Sequence, residues 1–368
     1  MAGCSPSNPL VRITLKVVAA LVISYCTAAM EKELSVDELM SNEERQCVFA
    51  LTSTGNDLYS AMTRVAVASL RCTNPSIKVV VATDPNSYQR LRASGNPLLA
   101  EVDRVVEVPA PGYGAHANRF VKITLRQNIR GAFLFLDSDV LVRGDLSRLF
   151  LVGGDLAGAR NHSLNEVSEQ IYKRDAATLS ALQWETRPDI YVNGGVLLYQ
   201  DTEGAQKFSE EWLRRWKISV TRREDHRDQP ALNAALKATE VELFQLPDQF
   251  NAQFQRNWRT LERGVIWHYY ASGSTGKPNT RFEVMVKELM AGKRLDYLRV
   301  RDMINAPHPW LRNDFVGRGI FRRSHNRGEL TPFRKAVLQR AIPGYCYRCL
   351  RSKAVRVLKQ TGLKAERA

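Results

Sequence analysis

The sequence predicts an α/β fold in which helices flank a mixed, mostly parallel sheet. Strand-like and helix-like segments alternate through the first half of the chain, and the strand-like segments are continuous hydrophobic runs. Polar residues follow two of these runs directly, at Thr52-Ser53 and at Asp137-Ser138-Asp139. Since ligands bind at the carboxyl ends of parallel strands, these polar residues are candidates for a functional site.

The elements of the first half follow in order. Strands are predicted at 46–53, 77–84, 102–109 and 132–137, and helices near 58–70, 87–94 and 119–129. Asn56 and Asp57 stand where a helix cap is expected, directly before apolar residues at helical spacing.

The second half is more mixed. Helices are predicted at 164–182, 204–217 and 228–238, and strands at 191–199 and 263–270. Pro230 falls in the first turn of its helix, where proline is tolerated. The last strand ends in His268, which looks exposed. From Thr331 onward, the basic tail is predicted to be helical.

The chain is long enough to bury a large core, and most of its net positive charge lies in the C-terminal tail. Its 368 residues, 44% of them hydrophobic, suffice for a large core. The net charge is +15, and residues 318–368 hold 14 Lys and Arg against two Asp and Glu, so +12 lies in this tail. The near-neutral body argues against nucleic-acid binding. The tail suits anionic lipid, acidic polymer or RNA, or is a solvated surface.

The N-terminus is typical of a secretory leader. Arg12 and Lys16 precede the apolar run 17–29, which ends in small residues. A signal anchor over 10–30 and a buried core helix are the alternatives. The predicted divisions are therefore a signal peptide or anchor at 1–30, an acidic linker at 31–45, the α/β domain at 46–300 and a basic extension at 301–368.

Cysteine usage is compatible with an oxidising lumen. Without the leader, four cysteines remain, which suffice for two disulfides: Cys47, Cys72, Cys346 and Cys349. The "CYRC" motif at 346–349 lacks a second ligand pair for zinc. Asn161 begins one glycosylation sequon, a frequency close to chance.

The Asp137-Ser138-Asp139 triplet has the chemistry of a cation site. Alternate residues at a strand end point to one side, so two carboxylates can share Mn²⁺ or Mg²⁺. His268, at another strand end, supplies an imidazole that Mn²⁺ accepts more readily than Mg²⁺ does. A cation held in this way suits a diphosphate. The alternative is a solvated strand end with a structural histidine.

The segment "ASGSTGKP" adds a glycine-rich loop with Gly273 and Lys277. Glycine lets backbone N–H groups approach a phosphate, and lysine adds a point charge. An ordinary flexible loop is the alternative interpretation.

Together these motifs resemble glycosyltransferase family 8, the glycogenin-like retaining enzymes of the Rossmann-like GT-A fold. The resemblance spans residues 47–278 and rests on "ALTSTGNDLY", "FVKITLRQN", "FLDSDVLV", "YVNGGVLLY", "DQPALN" and "WHYYASGSTGKP". It implies an Mn²⁺-dependent transferase, with Mg²⁺ as the alternative ion, that uses a UDP-sugar.

The resemblance also implies roles for individual residues. Thr52, Asn56 and Tyr59 match the uridine cradle, and Lys122 matches a basic residue that contacts the donor. Asp137, Asp139 and His268 match the metal ligands, and Ser138 lies between the two acids. Asn193 and Gly194 match the sugar pocket, Asp228 and Gln229 the pair beside the anomeric carbon, and Gly273 and Lys277 the loop that steadies the diphosphate.

The resulting hypothesis is a metal-dependent retaining glycosyltransferase that transfers a hexose or pentose from a UDP-sugar to a glycan or glycoprotein. It places the enzyme in the Golgi or endoplasmic reticulum lumen, membrane-anchored or secreted. The alternatives are a cytosolic glycogenin-like glucosyltransferase, a non-catalytic transferase-like protein, and a haloacid-dehalogenase-type phosphatase with Asp137 as nucleophile. Leu141 occupies a position where the phosphatase signature has Thr or Val. The oligomeric state, the acceptor and the retaining mechanism stay open.

Overall fold

The computed structural model describes residues 45–253, 258–269 and 280–309. These residues form two sheets. The strands are β1 Gln46–Leu51, β2 Lys78–Thr83, β3 Arg104–Glu107, β4 Phe133–Leu136, β5 Val140–Val142, β6 Leu156–Arg160, β7 Val192–Tyr199, β8 Leu243–Gln245, β9 Ala252–Gln253 and β10 Ile266–His268.

The helices alternate with these strands. They are α1 Leu58–Thr73, α2 Pro85–Ala93, α3 Leu98–Glu101, α4 Gly114–Ile123, α5 Leu125–Asn128, α6 Val167–Gln170, α7 Lys173–Ala181, α8 Glu203–Arg223, α9 Gln229–Ala238, α10 Trp258–Glu262, α11 Arg281–Met290 and α12 Tyr297–Asn305. Helix α1 begins directly after its capping residue Asp57. The Asp57 carboxylate accepts a hydrogen bond from the Ser60 N–H, and the Ser60 hydroxyl oxygen accepts one from the Asp57 N–H.

The large sheet has the strand order β3-β2-β1-β4-β7-β6-β8. Strands β3, β2, β1 and β4 are parallel, β7 is antiparallel to both β4 and β6, and β8 is parallel to β6. The prediction of an α/β fold with a mixed, mostly parallel sheet is therefore confirmed. Strands β1 and β4 bury almost every side chain, as their continuous hydrophobic runs require.

Both faces of the large sheet are covered by apolar side chains. On one face Trp212 and Trp216 of α8 pack with Phe133 and Tyr199, and the rings of the last two stack with centroids 4.8 Å apart. On the other face α1 packs against alternate residues of the same strands. The central strands are therefore buried on both faces, and the polar residues lie at the edge formed by their carboxyl ends.

A second, three-stranded sheet has the order β5-β10-β9. Strand β5 follows the Asp137-Ser138-Asp139 turn immediately and pairs antiparallel with β10. In this register Val140 lies opposite His268. The pairing therefore brings an imidazole from far along the chain beside the two acids.

Several local expectations need correction. The helix predicted at 119–129 begins earlier, at Gly114, and is interrupted at Thr124, where the backbone leaves the helical region with φ −91° and ψ 8°. The helix predicted at 164–182 is split into α6 and α7. The strands β5, β6, β8 and β9 were not predicted.

Two side-chain expectations are also corrected. His268 is buried, with 3% of its surface exposed, because β5, β9 and β7 surround its strand end. Cys47 and Cys72 are free thiols, and Cys47 lies inside β1, where burial raises its thiol pKa. The pairing of these two cysteines in disulfides is therefore not observed.

The predicted leader, most of the acidic linker, Gly273, Lys277, Cys346, Cys349 and the helical tail lie outside the described residues. Within the described ranges, no helix has both the length and the apolar character needed to span a bilayer.

Arg143 ties the C-terminal helices to the small sheet. Its guanidinium donates to the Ile304 carbonyl at 2.8 Å, the Gly264 carbonyl at 3.0 Å and the Ala306 carbonyl at 2.8 Å. It also stacks on Trp267, with its central carbon 3.7 Å from the ring centroid.

We expect Arg143→Lys to lower the free energy of unfolding by about 1–3 kcal/mol, since an ammonium cannot bond three carbonyls in one plane and stack as well. Urea unfolding measures this change. Arg148→Lys, an exposed position in the same segment, is the control and should leave stability unchanged. Equal stability of the two variants would contradict the structural role of Arg143.

Candidate active site

Three potential metal ligands converge at the carboxyl edge of the sheet. One oxygen each from Asp137 and Asp139 and one ring nitrogen of His268 lie within 4.8 Å of one another. His268 Nε2 is 3.3 Å from Asp139 Oδ1 and 3.9 Å from Asp137 Oδ2. A neutral nitrogen facing two carboxylates is an arrangement of acceptors, which a divalent cation or a proton completes.

Backbone bonds hold the acids in place. The Asp137 N–H donates to the Gly195 carbonyl at 2.8 Å, and the Asp139 carbonyl accepts from the Tyr269 N–H at 2.8 Å. The first bond joins the turn to β7, and the second joins it to the residue after β10. Two separate strands therefore fix the turn between β4 and β5.

Gly195 allows this convergence. A Cβ atom there would lie 2.3 Å from His268 Cε1 and 2.8 Å from Asp137 Oδ2. Both distances are too short for non-bonded atoms. The glycine is therefore required by the close approach of β7 to the ligand cluster, and the "NGG" sequence marks the point of contact.

A buried ion cluster adjoins the three ligands. Lys122, on α4, lies with its Nζ atom 3.2 Å from Asp137 Oδ1 and 3.0 Å from Asp228 Oδ2. Arg119, one turn earlier, places Nε 3.1 Å from Asp228 Oδ1. Asp228 therefore has a cation at each carboxylate oxygen, and Lys122 connects it to the metal-ligand acid.

The cluster sets the ionisation of its members. Burial alone raises the pKa of Asp228, but Lys122 and then Arg119 outweigh it and lower the pKa to about 2. Burial likewise lowers the pKa of Lys122, while Asp137 and Asp228 raise it above its ordinary value. Both groups are therefore charged at neutral pH.

His268 and Asp139 also shift each other's pKa. Burial lowers the pKa of His268, but Asp139 and Asp137 raise it, and the net shift is upward. Burial raises the pKa of Asp139, and the neighbouring His268 outweighs it, so the net shift is downward. In both groups the partner's charge outweighs burial.

Gln229 and the Asn193-Gly194 pair lie beside this cluster. Gln229 Oε1 is 3.4 Å from both the Asn193 amide nitrogen and the Gly194 N–H. A Cβ atom at Gly194 would lie 3.5 Å from Lys122 Nζ and 3.7 Å from Asp228 Oδ2. These residues therefore lie along one side of the Lys122–Asp228 pair.

The residues predicted to hold the uridine base follow β1 in the sequence. The Thr52 hydroxyl donates to the Gly114 carbonyl at 3.1 Å, and Asn56 accepts from Asn96 at 2.9 Å. Tyr59 exposes 56% of its surface. Ser138 joins this segment to the acids, because its hydroxyl accepts from Thr63 at 2.9 Å.

Sequence reasoning missed three residues of the site. Arg119 carries a helical-spacing signal, since it lies three positions before Lys122. Asn251 contacts His268 Nδ1 at 2.8 Å, and Asn161 contacts Asn193 at 3.0 Å. Asn251 carries no motif, the sequon at Asn161 does not point to this site, and only the folded chain brings the two amides together. The predicted loop residues Gly273 and Lys277 lie outside the described ranges.

Three glycosyltransferase structures are similar to this chain. The galactosyltransferase LgtC, in complex with donor and acceptor sugar analogues, has 18% identity, covers 68% of this chain and 97% of its own, and gives a TM-score of 0.45. GlyE of Streptococcus pneumoniae TIGR4 has 18% identity over 73% and 66%, with a TM-score of 0.45. Mouse xyloside xylosyltransferase 1 has 15% identity over 62% and 97%, with a TM-score of 0.42.

The sequence matches no family model and no curated protein. With TM-scores below 0.5, the structural similarities do not assign the chain to a family.

Gly195→Ala should disrupt the ligand cluster, because the added methyl group overlaps His268 and Asp137. We expect the dissociation constant for Mn²⁺, measured by titration calorimetry, to rise at least about tenfold. Gly153→Ala is the matched control, since a Cβ atom at Gly153 has no neighbour within 4 Å. Unchanged Mn²⁺ affinity in Gly195→Ala would show that the ligand cluster does not require a glycine at this position.

Asp228 should make stability depend on acid pH. Its folded pKa, about 2, lies below its ordinary value of 3.8, so its contribution is present above pH 4 and is lost as pH falls toward 2. The loss should be on the order of 2 kcal/mol. Asp228→Asn should therefore be less stable than wild type at neutral pH and show a smaller decrease between pH 4 and pH 2.

Urea unfolding at a series of pH values measures this difference. Asp302→Asn, which changes an exposed acid on α12, should follow the wild-type curve. If Asp228→Asn also follows that curve, Lys122 and Arg119 do not stabilise the Asp228 carboxylate.

Proposed function

We propose that this protein is a metal-dependent retaining glycosyltransferase that uses a UDP-sugar donor. One observation supports this above all: Asp137, Asp139 and His268 converge at the carboxyl edge of a mostly parallel sheet, and the Lys122–Asp228 ion pair adjoins them. The donor set of two carboxylates and one imidazole fits Mn²⁺ better than Mg²⁺. The bound ion would neutralise negative charge on the donor diphosphate.

The chain's own residues would divide the remaining work. Lys122 is buried and charged, so it can place a positive charge beside the sugar and the departing diphosphate. The Gly194 N–H and Gln229 lie beside Lys122 and Asp228 and would orient sugar hydroxyls. Thr52, Asn56 and the exposed Tyr59 would hold the uridine, with the Tyr59 ring available for stacking on the base. Lys277 and Gly273 are proposed to complete the diphosphate site.

The contacts of Asp228 favour one retaining mechanism. Its two oxygens each have a cation, and its pKa is about 2, so the carboxylate is a weak nucleophile. This supports attack by the acceptor oxygen on the same face of the sugar as the leaving group. The new bond forms between that oxygen and the anomeric carbon, the bond to diphosphate breaks, and the acceptor proton passes to the departing phosphate oxygen. Asp228 would stabilise the positive charge on the sugar.

The cellular setting rests on the sequence. The leader at 1–30 supports a place in the secretory pathway, in the Golgi or endoplasmic reticulum, with the body in the lumen. The acceptor would then be a glycan or glycoprotein, and membrane association would come from the N-terminal segment. A cytosolic glycogenin-like transferase is the alternative if the leader does not direct translocation, and protease protection in microsomes separates the two.

A phosphatase would use the same acids differently, with Asp137 as nucleophile and Asp139 as general acid. One contact weighs against it. Asp139 faces His268, and the imidazole outweighs burial and lowers the pKa of Asp139, so this acid is held as a carboxylate. A general acid needs its proton.

Asp139→Asn should reduce Mn²⁺-dependent release of UDP from UDP-sugars by at least about 100-fold, because it removes one negative ligand oxygen. The assay screens UDP-glucose, UDP-galactose, UDP-xylose and UDP-glucuronic acid. Asp145→Asn is the matched control, since Asp145 is an exposed acid that bonds Ser147 after the same turn.

Undiminished turnover in Asp139→Asn would falsify the proposed role. Hydrolysis of a phosphate monoester by the wild type, with no thermal shift on adding UDP and Mn²⁺, would support the phosphatase instead.

A further inference from the structure

We infer that Asn251, with Asn193 and Asn161 behind it, is a positioning chain that fixes the orientation and tautomer of His268 and so directs Nε2 toward the cation. The inference rests on the metal site of the proposed function. All three asparagines are buried. Because a buried amide is costly unless each polar atom has a partner, the partners reveal which atom is which.

A backbone N–H identifies the atoms nearest the imidazole. Gly195 N donates at 2.9 Å to Asn193, so that atom is the oxygen Oδ1. The same oxygen accepts from Asn251 at 2.9 Å, so Asn251 presents Nδ2 to it. The other end of Asn251 is then Oδ1, which lies 2.8 Å from His268 Nδ1. Since an amide oxygen only accepts, Nδ1 must carry the hydrogen.

A backbone carbonyl identifies the side-chain atoms of Asn161, at the end of the positioning chain farthest from His268. Asn161 Nδ2 donates to the Gln170 carbonyl at 2.6 Å, so Asn161 Oδ1 is free to accept from Asn193 Nδ2 at 3.0 Å. Every donor in the chain therefore points the same way, from His268 to the Gln170 carbonyl. Bonds aligned in this way polarise one another and strengthen the set.

The positioning chain leaves Nε2 of His268 as the ring nitrogen that can bind a cation. With Nδ1 donating, the neutral ring has its lone pair on Nε2, which faces Asp139 at 3.3 Å. If the Nδ1 partner were lost, a neutral ring could carry its hydrogen on Nε2 and block that ligand position. Donation to a buried acceptor also raises the ligand strength of an imidazole. Asn251 is thus a positioning residue that acts through His268.

Asn193 connects the two halves of the site. Its oxygen accepts from Gly195 and Asn251, and its nitrogen donates to Asn161 and lies 3.4 Å from Gln229 Oε1. All four of its bonding positions are in use. The side chain predicted to shape the sugar pocket therefore also supports the metal ligand. The positioning chain also includes Asn161, the first residue of the sequon, which is buried. Its amide nitrogen, the atom that glycosylation would modify, donates a hydrogen bond to the Gln170 carbonyl.

Asn251→Leu tests the inference, because leucine has nearly the same size and offers no acceptor to Nδ1. Titration calorimetry with Mn²⁺ in the presence of UDP should show a dissociation constant about 10–100-fold higher. In metal-free protein labelled with ¹⁵N-histidine, at a pH where the ring is neutral, the His268 signals should change from the Nδ1–H tautomer to the Nε2–H form or a mixture. A His268→Gln spectrum assigns them among the six histidines.

Two variants separate positioning from stability. Asn251→Asp keeps an acceptor at Nδ1 and should recover most of the Mn²⁺ affinity, although it loses the donor to Asn193 and some stability. Asn74→Leu removes a comparable buried amide, which bonds the Gly144 carbonyl at 3.0 Å and the Leu146 N–H at 2.8 Å. It should lower stability and leave Mn²⁺ affinity unchanged.

The inference is overturned if Asn251→Leu keeps the Nδ1–H tautomer and wild-type affinity, or if Asn74→Leu weakens Mn²⁺ binding equally. If the wild type binds no Mn²⁺, the proposed function fails, and the metal-free tautomer measurement still decides the role of Asn251.

Discussion

The site depends on the placement of three carboxylates at one sheet edge. Among the described residues, two permanent cations lie beside Asp137, Asp139 and Asp228, namely Lys122 and Arg119. These two cations offset part of the negative charge, and a proton on His268 or a divalent ion would offset the rest. Burial lowers the pKa of His268, but Asp139 and Asp137 raise it, and the net shift is upward. The described residues of the site therefore favour a cation.

Close packing gives that charge cluster its geometry. Strand β7 runs antiparallel between β4 and β6, and Gly195 lets its backbone approach the acids and the imidazole. The same strand supplies Asn193, whose amide joins Asn251 on one side and Gln229 on the other. Strand β7 thus contacts both the candidate metal ligands and the residues of the proposed sugar pocket. A displacement of β7 would disturb both groups of residues.

Much of the fold and part of the site could be predicted from the sequence. Continuous hydrophobic strands predicted the parallel sheet, and the acids at the end of β4 predicted the candidate cation site, because both depend on residues close in sequence. The interruption at Thr124 was not predicted, since it is a local change of backbone angles inside a segment with a helical pattern. The short strands β5 and β9 carry too few residues for a periodic signal, although β5 is the strand that recruits β10.

The sequence by itself determined the local chemistry: two carboxylates after a buried strand, a lysine on the preceding helix, a glycine pair in a strand and a histidine after another. Only the tertiary structure decided which of these groups meet. The register of β5 with β10 placed His268 beside the acids and buried it, although its sequence context looked exposed. Asn161, Asn193 and Asn251 are separated by 32 and 58 residues. Their direction of bonding is fixed by backbone groups that no local pattern encodes, because hydrogen-bond partners far apart in sequence are chosen by the fold.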